Sequence, residues 1–422
     1  MTFTYVEQEK GIQFENGKAA KIVVIGVGGG GGNAINNMIE ANLQGCQFVA
    51  ANTDAQDLEK SLSPIKIQLG PTLTGGLGAG ADPTVGREAA LESEAEIRDV
   101  LRGAHMVFIT AAFGGGTGTG AAPVIAGIAK ELGALTVSVT SKPFSFEGRK
   151  KIKMAEEGLE EIKNISDTTI TIPNDRLRGL ANKNARAVDM FKKADEILHH
   201  SVKGITDLIV VPGLVNLDFA DVRTTMGRAG LALMGIGIAS GDNRATEAAE
   251  RAISHPLLED ISISGAKAIL MNITSSSDLT LDELTTAADR IHTEAGDDAD
   301  LIWGHTLDES LGDEIRITVI ATGIGTKEDD IRNISNIRPQ QRKIHTLTST
   351  TRQPQAESAP SRPEIENQAR QPIPFHEPNP APSKESPGRV YSFPDTKDLD
   401  TPAYVRRKKD LEIPTYKRRI AD

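Results

Sequence analysis

Apolar and polar positions follow two periods along the chain, and their succession predicts strands separated by helices. Apolar, β-branched runs predict strands at residues 21–26 (KIVVIG), 46–53 (CQFVAANT), 105–110 (HMVFIT) and 134–140 (ALTVSVT). Between the first two runs, apolar residues recur at helical spacing at Ala34, Ile35, Met38 and Ile39. Strands that alternate with helices favour a Rossmann-like α/β fold, in which helices cover both faces of a parallel sheet.

A long helical pattern runs from about Ala185 to Val211 and ends at Pro212-Gly213. The chain beyond it has strand patterns of its own, at residues 266–274 (AKAILMNIT) and 314–324 (EIRITVIATGI). We therefore expect a flexible extension over residues 1–19, an α/β domain over 20–184, a central helix over 185–211 and a second α/β domain over 212–327.

The C-terminal quarter has a different composition. Of the 40 glycines, 39 precede residue 328, whereas 12 of the 21 prolines lie in residues 339–402. Residues 328–404 are predicted to be a disordered linker, since they cannot bury enough apolar surface to offset the entropy of ordering. Residues 405–422 are predicted to order on a partner, the alternative being a tail that only keeps the chain soluble. Their apolar positions are Leu411, Ile413, Pro414 and Tyr416.

Charge and cysteine content limit the possible functions. The net charge of −11 disfavours binding to nucleic acid through a bulk basic surface. No secretory signal and no apolar stretch of about 18 residues is visible, so we expect no membrane span. Cys46 is the only cysteine and cannot form an internal disulfide, which fits a reducing cytosol.

Three glycine-rich loops carry the candidate chemistry. Gly26-x-Gly28-x-x-Gly31 follows a predicted strand, and Asp54 lies about twenty residues on, which satisfies the dinucleotide fingerprint of an NAD-dependent oxidoreductase. Further loops follow at residues 75–82 (GGLGAGAD) and 114–120 (GGGTGTG). Three loops rich in backbone N–H groups at one sheet edge suit a nucleotide with three phosphates. Because no GxxxxGK[ST] segment occurs, backbone dipoles and a metal must neutralise the phosphates.

The loop motifs carry a family resemblance. GGGTGTG (114–120) resembles the signature of the tubulin family. The chain resembles the FtsZ family of bacterial division GTPases over about residues 20–325 and its last dozen residues. The motifs are GVGGGGGNA (26–34), ANTD (51–54), GLGAGADPTVGR (76–87), KPFSFEGR (142–149) and PNDRL (173–177). The resemblance implies a cytoplasmic GTPase that polymerises head to tail, binds GTP at each junction, hydrolyses it to GDP and phosphate, and scaffolds the division ring at mid-cell.

The resemblance also implies which residues bind GTP. The phosphates would lie against Gly29, Gly30, Gly31, Gly32, Asn33, Gly115, Gly116, Thr117 and Gly118, and the γ-phosphate against Ala79, Gly80 and Ala81. Glu147 would bind the ribose, beside Lys151, where the family commonly has an arginine. The guanine would contact Asn174, Phe191 and Asp195. A carboxylate suits guanine, which presents two adjacent donors. Without the motifs, the local sequence favours an ordinary core side chain for Phe191 and a solvated helix position for Asp195, and the motif context reverses this preference.

Asn216, Asp218 and Asp221 form a second candidate group. Local sequence favours a structural interpretation, in which Asp218 caps a helix and Asp221 is an acidic residue of its first turn. The resemblance implies instead that this NxDxxD loop enters the nucleotide pocket of the neighbouring subunit. There the carboxylates would orient the attacking water and help the metal site, with Asn216 near the γ-phosphate.

The remaining expectations concern cofactors and partners. No HxxxH or CxxC spacing occurs, so no protein metal site is expected, and Mg²⁺ would be held mainly by phosphate oxygens and water. The resemblance implies that the C-terminal peptide binds membrane-tethering division proteins and that the chain binds copies of itself. Two alternatives stay open, the NAD-dependent oxidoreductase and a tubulin-like scaffold that does not hydrolyse GTP. Intact Asp218 and Asp221 disfavour the second.

Overall fold

The computed structural model describes residues 20–180, 186–227, 230–258 and 263–324. The predicted N-terminal extension, the linker over residues 328–404 and the C-terminal peptide lie outside these ranges. The predictions for Leu411, Ile413, Pro414 and Tyr416 therefore concern residues that the structure does not describe.

One sheet runs through the whole of the described chain. Its order is β3-β2-β1-β4-β5-β6-β7-β10-β8-β9. The strands are β1 (Ile22–Val27), β2 (Gln47–Asn52), β3 (Ile65–Gln68), β4 (Met106–Ala112), β5 (Leu135–Lys142), β6 (Thr168–Pro173), β7 (Gly230–Ser240), β8 (Ala268–Ser275), β9 (Asp300–Leu307) and β10 (Glu314–Ile324). Strands β1 to β7 pair in parallel, β10 pairs antiparallel with β7 and β8, and β9 is parallel to β8. This is the mixed α/β fold that the sequence predicts.

Helices connect the strands, and none in the described ranges is long and apolar enough to cross a membrane. The helices are α1 (Gly28–Glu40), α2 (Ala55–Glu59), α3 (Pro71–Thr74), α4 (Pro83–Glu92), α5 (Glu94–Leu101), α6 (Thr117–Glu131), α7 (Arg149–Ile165), α8 (Asn174–Leu177), α9 (Ala187–Val210), α10 (Phe219–Met226), α11 (Arg244–Ile253) and α12 (Leu281–Ala295).

Alternate residues of the buried strands point to opposite faces of the sheet, as the period of two requires. In β1, Val24 packs in the core beneath α1 and α9, whereas Val23 and Ile25 pack beneath α4 to α7. A third core lies between α11, α12 and the strands of the second half. Both faces of β1 are buried, so this strand reads as an uninterrupted apolar run.

The two halves of the sheet join at β6 and β7. Only three residue pairs link these strands, from Thr168 with Gly230 to Ile170 with Ala232. Helix α9 packs across this joint, because its apolar face shares a core with side chains of β1, β5, β7 and β10. The boundaries at residues 184 and 212 between a first domain, a central helix and a second domain stay predictions.

Helix α9 runs from one edge of the sheet to the other. We call the edge at which β1 to β6 end the carboxyl edge, and the opposite one the amino edge. The helix begins after β6 and α8, at the carboxyl edge, and its 24 residues span roughly 36 Å. At its far end, Val210 packs against Gly45, which lies just before β2 at the amino edge; a Cβ atom on Gly45 would lie 2.2 Å from Val210 Cγ1.

Candidate active site

A cavity of about 230 Å³ opens at the carboxyl edge, between the ends of β1 and β4. The order of strands reverses between β1 and β4, and in open α/β sheets ligands bind at such a reversal. The lining residues are Val27, Gly28, Gly29, Gly30, Ala112, Phe113, Gly114, Gly115, Gly116, Thr117, Gly118, Glu147 and Lys151. Two of the three predicted loops thus form one cavity.

Two helices begin at this cavity without a side-chain cap. Helix α1 starts immediately after Val27, and α6 starts after Gly116, and at neither position does a side chain accept a hydrogen bond from the first turn. The first N–H groups of both helices therefore need other acceptors. Uncapped helix N-termini bind anions through these N–H groups and the helix dipole. The cavity is suited to phosphate groups.

The glycines of these loops serve packing as well as access. A Cβ atom on Gly30 would lie 2.4 Å from Ala112 Cβ, and one on Gly31 would lie 2.5 Å from the carbonyl oxygen of Thr110. Such distances are sterically forbidden, so α1 can approach β4 only without side chains there. A Cβ atom on Gly115 would meet nothing within 4 Å. Part of the glycine signal in the sequence thus reflects close packing of the chain against itself.

The loop at residues 75–82 lies against the loop at residues 114–120. A Cβ atom on Gly116 would lie 2.9 Å from Ala79 Cβ, which places residues 79–81 beside the cavity. Ala81 has φ +59°, a left-handed conformation that is uncommon for a residue with a side chain. Such backbone strain is often found at binding sites. Asp82 then ends the loop by capping α4, where its Oδ1 accepts the N–H of Thr84 at 2.9 Å.

Glu147 connects the cavity to the loop after β5. Its Oε1 accepts the N–H of Phe144 at 2.9 Å, and its Oε2 lies 3.0 Å from the Lys151 ammonium. Lys151, the residue at the family's usual arginine position, therefore forms an ion pair with the predicted ribose ligand at the wall of the cavity. The Asp54 carboxylate caps α2 by accepting the N–H groups of Gln56 and Asp57. Both bonds use Oδ1, so Asp54, the residue that would bind the ribose in the NAD-dependent alternative, has a structural role in the chain.

The residues predicted to bind guanine lie beyond Glu147, beside a group of aromatic rings. Phe191 on α9 contacts Phe144 edge to face, with ring centroids 5.3 Å apart, although 44% of its surface is exposed. Asp195 lies one turn further along α9, and within the described residues its carboxylate has no hydrogen-bonding or ion-pair partner. Burial raises the pKa of Asp195 to about 6. Asn174 is buried, and its Oδ1 has no hydrogen-bond partner in the described part of the chain.

These unsatisfied polar groups fit a base with several hydrogen-bonding positions. A buried amide oxygen and a half-buried carboxylate without partners are costly unless a ligand supplies donors. The N1–H and N2–H of guanine are such donors, and Phe191 offers a ring face beside them. The carboxyl edge therefore has groups suited to each part of a guanine nucleotide.

The residues of the second candidate group lie together at the start of α10, with Asn216 and Asp218 on the preceding loop and Asp221 in the first turn of the helix. Asp218 is the N-cap of α10, and its Oδ1 accepts the N–H of Asp221 at 2.8 Å. Asn216 Oδ1 accepts the N–H of Gly213 at 2.7 Å. All three side chains are exposed. The capping interpretation of Asp218 is thus correct as geometry, and it leaves the Asp221 carboxylate without a partner among the described residues.

This loop is not part of the cavity. The Phe219 ring at the start of α10 lies 6.1 Å from the ring of His105, which directly precedes β4. Arg223 of α10 donates to the carbonyl oxygen of Gly133, just before β5, at 3.4 Å. Both contacts lie at the amino edge, so the structure places Asn216, Asp218 and Asp221 across the sheet from the glycine loops.

One contact of this loop has no counterpart in the sequence analysis. The loop packs on β9 at His305, whose Nδ1 accepts the N–H of Leu214 at 3.3 Å. The two residues are 91 positions apart, and neither belongs to a recognisable motif. Only the pairing of β8 with β9 brings His305 to the loop.

Comparison with known proteins identifies relatives of the whole described region. The family model described as Tubulin/FtsZ family, GTPase domain matches residues 21–182, and that of the FtsZ family C-terminal domain matches residues 230–325. Cell division protein FtsZ of Rickettsia conorii is 55% identical over 326 residues, covering 76% of this chain and 72% of the relative. The corresponding protein of Coxiella burnetii is 52% identical over 307 residues, covering 73% and 80%. A solved FtsZ dimer from M. jannaschii superimposes with a TM-score of 0.70 at 44% identity, covering 73% of this chain and 89% of the other.

Proposed function

The chain belongs to the FtsZ family of tubulin-like GTPases, and on this premise we propose that it is a cell-division protein that polymerises head to tail and completes its GTPase site between two copies. In this proposal one copy contributes the cavity with the bound nucleotide. The next copy contributes the loop with Asn216, Asp218 and Asp221.

The observation that carries the proposal is the position of the two groups of residues. The cavity lies at the carboxyl edge, whereas the three polar side chains lie at the amino edge, at the far end of the 24-residue helix α9. A group at one end of this helix cannot reach a phosphate at the other, because the helix is roughly 36 Å long. A second copy stacked on the first would bring its amino edge to the carboxyl edge of its neighbour.

The proposed mechanism assigns separate tasks to the two copies. The uncapped N-termini of α1 and α6 hold the phosphates, and the loop at residues 79–81 faces the γ-phosphate. Asp195 accepts hydrogen bonds from the N1–H and N2–H of the guanine, the Oδ1 of Asn174, unpartnered within the described chain, offers a further acceptor, and Phe191 packs on the face of the base. Asp218 and Asp221 of the neighbour orient the attacking water, with Asn216 beside the γ-phosphate. Phosphoryl transfer is catalysed mainly by positioning the reacting groups and neutralising their charge, and these are the tasks assigned to the two copies.

The donors around the cavity bear on where a cation would lie. In the described ranges, no group of three or more His, Cys, Asp or Glu side chains could hold a metal ion. The cavity offers mainly backbone N–H groups, which bind anions. We therefore propose that Mg²⁺ is held mainly by phosphate oxygens and water, where it neutralises the charge of the phosphates.

The parts of the chain outside the described ranges belong to the same proposal. Residues 328–404 would act as a linker, and residues 405–422 would bind membrane-tethering division proteins through Leu411, Ile413, Pro414 and Tyr416. The protein would then act in the cytoplasm at the division site, as part of the ring scaffold. The names of the relatives and the basic, apolar composition of the tail support this assignment.

The proposal is tested by the GTPase rate per molecule, measured across a range of protein concentrations with Mg²⁺ present. We expect a negligible rate at low concentration and a rise above a threshold, because a lone copy lacks the neighbour's carboxylates. A rate per molecule that does not change with concentration would mean that one copy hydrolyses GTP alone. Asp218 and Asp221 would then be helix-capping residues only.

A further inference from the structure

The loop that carries Asn216 and Asp218 is fastened to one residue of β9. The N–H of His305 donates to the carbonyl oxygen of Val215 at 3.0 Å, and the N–H of Leu214 donates to His305 Nδ1 at 3.3 Å. A Cβ atom on Gly213 would lie 1.6 Å from the carbonyl oxygen of His305, so only glycine allows this approach. Three consecutive loop residues thus contact His305 immediately before Asn216.

The hydrogen bonds around His305 assign its tautomer. Ser275 Oγ lies 2.9 Å from His305 Nε2 and 2.9 Å from the carbonyl oxygen of Ser276. A carbonyl oxygen only accepts, so the single hydroxyl proton of Ser275 is given to Ser276. His305 Nε2 must then carry a proton and donate it to Ser275. Nδ1 is left unprotonated and can accept the N–H of Leu214, which is the contact observed.

The residues that hold the His305 imidazole are themselves buried and hydrogen-bonded. The side chains of His305 and Ser275 are buried, with exposures of 2% and 0%. The next residue, Ser276, contacts Asp278 Oδ1 through its hydroxyl at 2.6 Å. Asp278 in turn accepts a hydrogen bond from the buried Arg244 at 3.0 Å. The imidazole therefore has one orientation, set from the side of β8 and α11.

We propose that His305 is a positioning residue for GTP hydrolysis at the junction between copies. Its neutral imidazole holds Leu214 and Val215 in place, and this sets the direction in which Asn216 and Asp218 project towards the neighbour's cavity. The inference rests on the proposed function, since it requires that the loop act on a second copy. His305 is buried and does not itself touch the nucleotide.

The contacts predict that loss of the imidazole lowers the rate of hydrolysis more than it lowers folding stability. Leu214 is 73% exposed and its hydrogen bond to His305 is only partly buried, so we expect water to replace the imidazole as the acceptor when the imidazole is lost. Removing the acceptor should therefore cost little folding stability, because the donor is not left buried. The loop would lose its fixed orientation, and a misplacement of about 1 Å at a catalytic group can cost on the order of a hundredfold in rate.

Two substitutions test the two nitrogens separately. His305→Asn can place an oxygen near the position of Nδ1 and keep the acceptor for Leu214. His305→Gln can reach the position of Nε2 and keep the contact with Ser275, but it offers no acceptor at Nδ1. If His305 positions the loop, His305→Asn keeps the rate per assembled molecule within about threefold, whereas His305→Gln lowers it at least about tenfold. A purely structural role predicts the reverse order, because glutamine better preserves volume and the buried contact with Ser275.

The matched control and a second variant complete the experiment. Thr306→Val removes a buried hydrogen bond of the same strand, from Thr306 to Asn272, without touching the loop, and should leave the rate unchanged. Ser275→Ala removes the acceptor that fixes the tautomer, and should lower the rate while leaving His305 in place. GTP affinity should stay within about twofold of the unsubstituted chain in all variants, because the cavity is at the other edge.

The outcomes distinguish this inference from the proposed function. If the unsubstituted chain shows no dependence of rate on concentration, the proposed function fails and the inference fails with it. If that dependence is present but His305→Gln keeps the full rate, or loses no more than His305→Asn, only the positioning role is overturned. Thermal melting of each variant shows whether it is folded. If His305→Gln does not fold, the rate of the Ser275→Ala variant tests the positioning role instead.

Discussion

Phe144 and Phe191 meet edge to face, with ring centroids 5.3 Å apart and an angle of 86° between the ring planes. Phe144 is fully buried and also donates its N–H to Glu147, whereas Phe191 is half exposed. The buried ring therefore fixes the orientation of the exposed one, and the same residue positions the predicted ribose ligand. Phe144 thus holds the ring predicted to contact the base through its side chain, and the carboxylate predicted to bind the ribose through its backbone N–H.

The first prediction concerns this exposed ring. Phe191→Ala should weaken GTP binding about tenfold to a hundredfold, since stacking of a base on an aromatic ring contributes on the order of 1–3 kcal/mol. Phe191→Tyr should bind as the unsubstituted chain does. Isothermal titration below the polymerisation threshold measures both. Val188→Ala, at an exposed position of the same helix, is the control, and equal affinities for it and Phe191→Ala would contradict the stacking role.

The second prediction uses the raised pKa of Asp195, which is about 6 because of burial. As the pH falls through this value, the carboxyl group takes up a proton and loses an acceptor for guanine, so GTP affinity should fall between about pH 7 and pH 5. Phosphate groups of the nucleotide titrate in the same range, and Asp195→Asn separates the two effects. This variant should bind GTP at least about tenfold more weakly at pH 7.5 and show a flatter pH profile.

The corresponding control is Asp189→Asn, on the same helix, where the carboxylate forms an exposed ion pair with Arg186. It should bind GTP with an affinity close to that of the unsubstituted chain. Identical pH profiles for Asp195→Asn and the unsubstituted chain would exclude Asp195 as the guanine acceptor.

The third prediction separates capping from catalysis at Asp218. Asparagine caps helix N-termini about as well as aspartate does, so Asp218→Asn should keep α10 and the free energy of unfolding nearly unchanged. It removes the charge that would orient water, so the rate of hydrolysis should fall at least about a hundredfold while GTP binding persists. Circular dichroism, nucleotide titration and phosphate release measure the three quantities.

A mixing experiment extends this test to two copies. Asp218→Asn keeps its cavity and Asp195→Asn keeps its loop, so a junction formed between them contains one intact set of groups. At a GTP concentration too low to occupy the Asp195→Asn variant, the mixture should hydrolyse GTP faster than the sum of the two variants alone. A mixture no faster than this sum would count against a site shared between copies.

The fourth prediction concerns two glycines with different surroundings. Gly30→Ala should destabilise the fold, by about 2–4 kcal/mol, because its Cβ atom would lie 2.4 Å from Ala112 Cβ and push α1 away from β4. Gly127→Ala lies inside α6, where a Cβ atom would meet nothing within 4 Å, and should stabilise by about 0.5–1 kcal/mol. Urea unfolding of both variants gives the two signs, and similar shifts for both would refute the packing argument.

The sequence predicts six of the ten strands of the described chain, and the four that it does not name are β3, β6, β7 and β9. β1 is an apolar run and β4 is one except for Thr110, and the structure has both strands within two residues of the predicted ends. β3 has only four residues, and β6 (TTITIP) is rich in threonine, so neither was predicted. Their place in the sheet depends on pairing with β2 and β5, and such tertiary pairing is not visible in a single segment.

The candidate site divides in the same way. Motifs predicted the loops that line the cavity, since the glycines and their order are local features of the chain. The contact of Phe144 with Phe191 and the packing of Leu214 on His305 join residues 47 and 91 positions apart, and no local pattern encodes them. The assignments of individual residues to phosphate, ribose, guanine and water stay predictions until the variants described above are measured.

The placement of cavity and loop at opposite edges has a consequence for stoichiometry. In the proposed head-to-tail polymer the number of junctions is one fewer than the number of subunits, so one terminal copy would keep an uncovered cavity and the other would keep an unused loop. Two copies would contain a single complete site, and GTP turnover per subunit would approach its maximum only as the polymers lengthen. The rate of hydrolysis per subunit would therefore depend on the mean length of the polymers. The two terminal copies of each polymer would differ in the nucleotide that they hold.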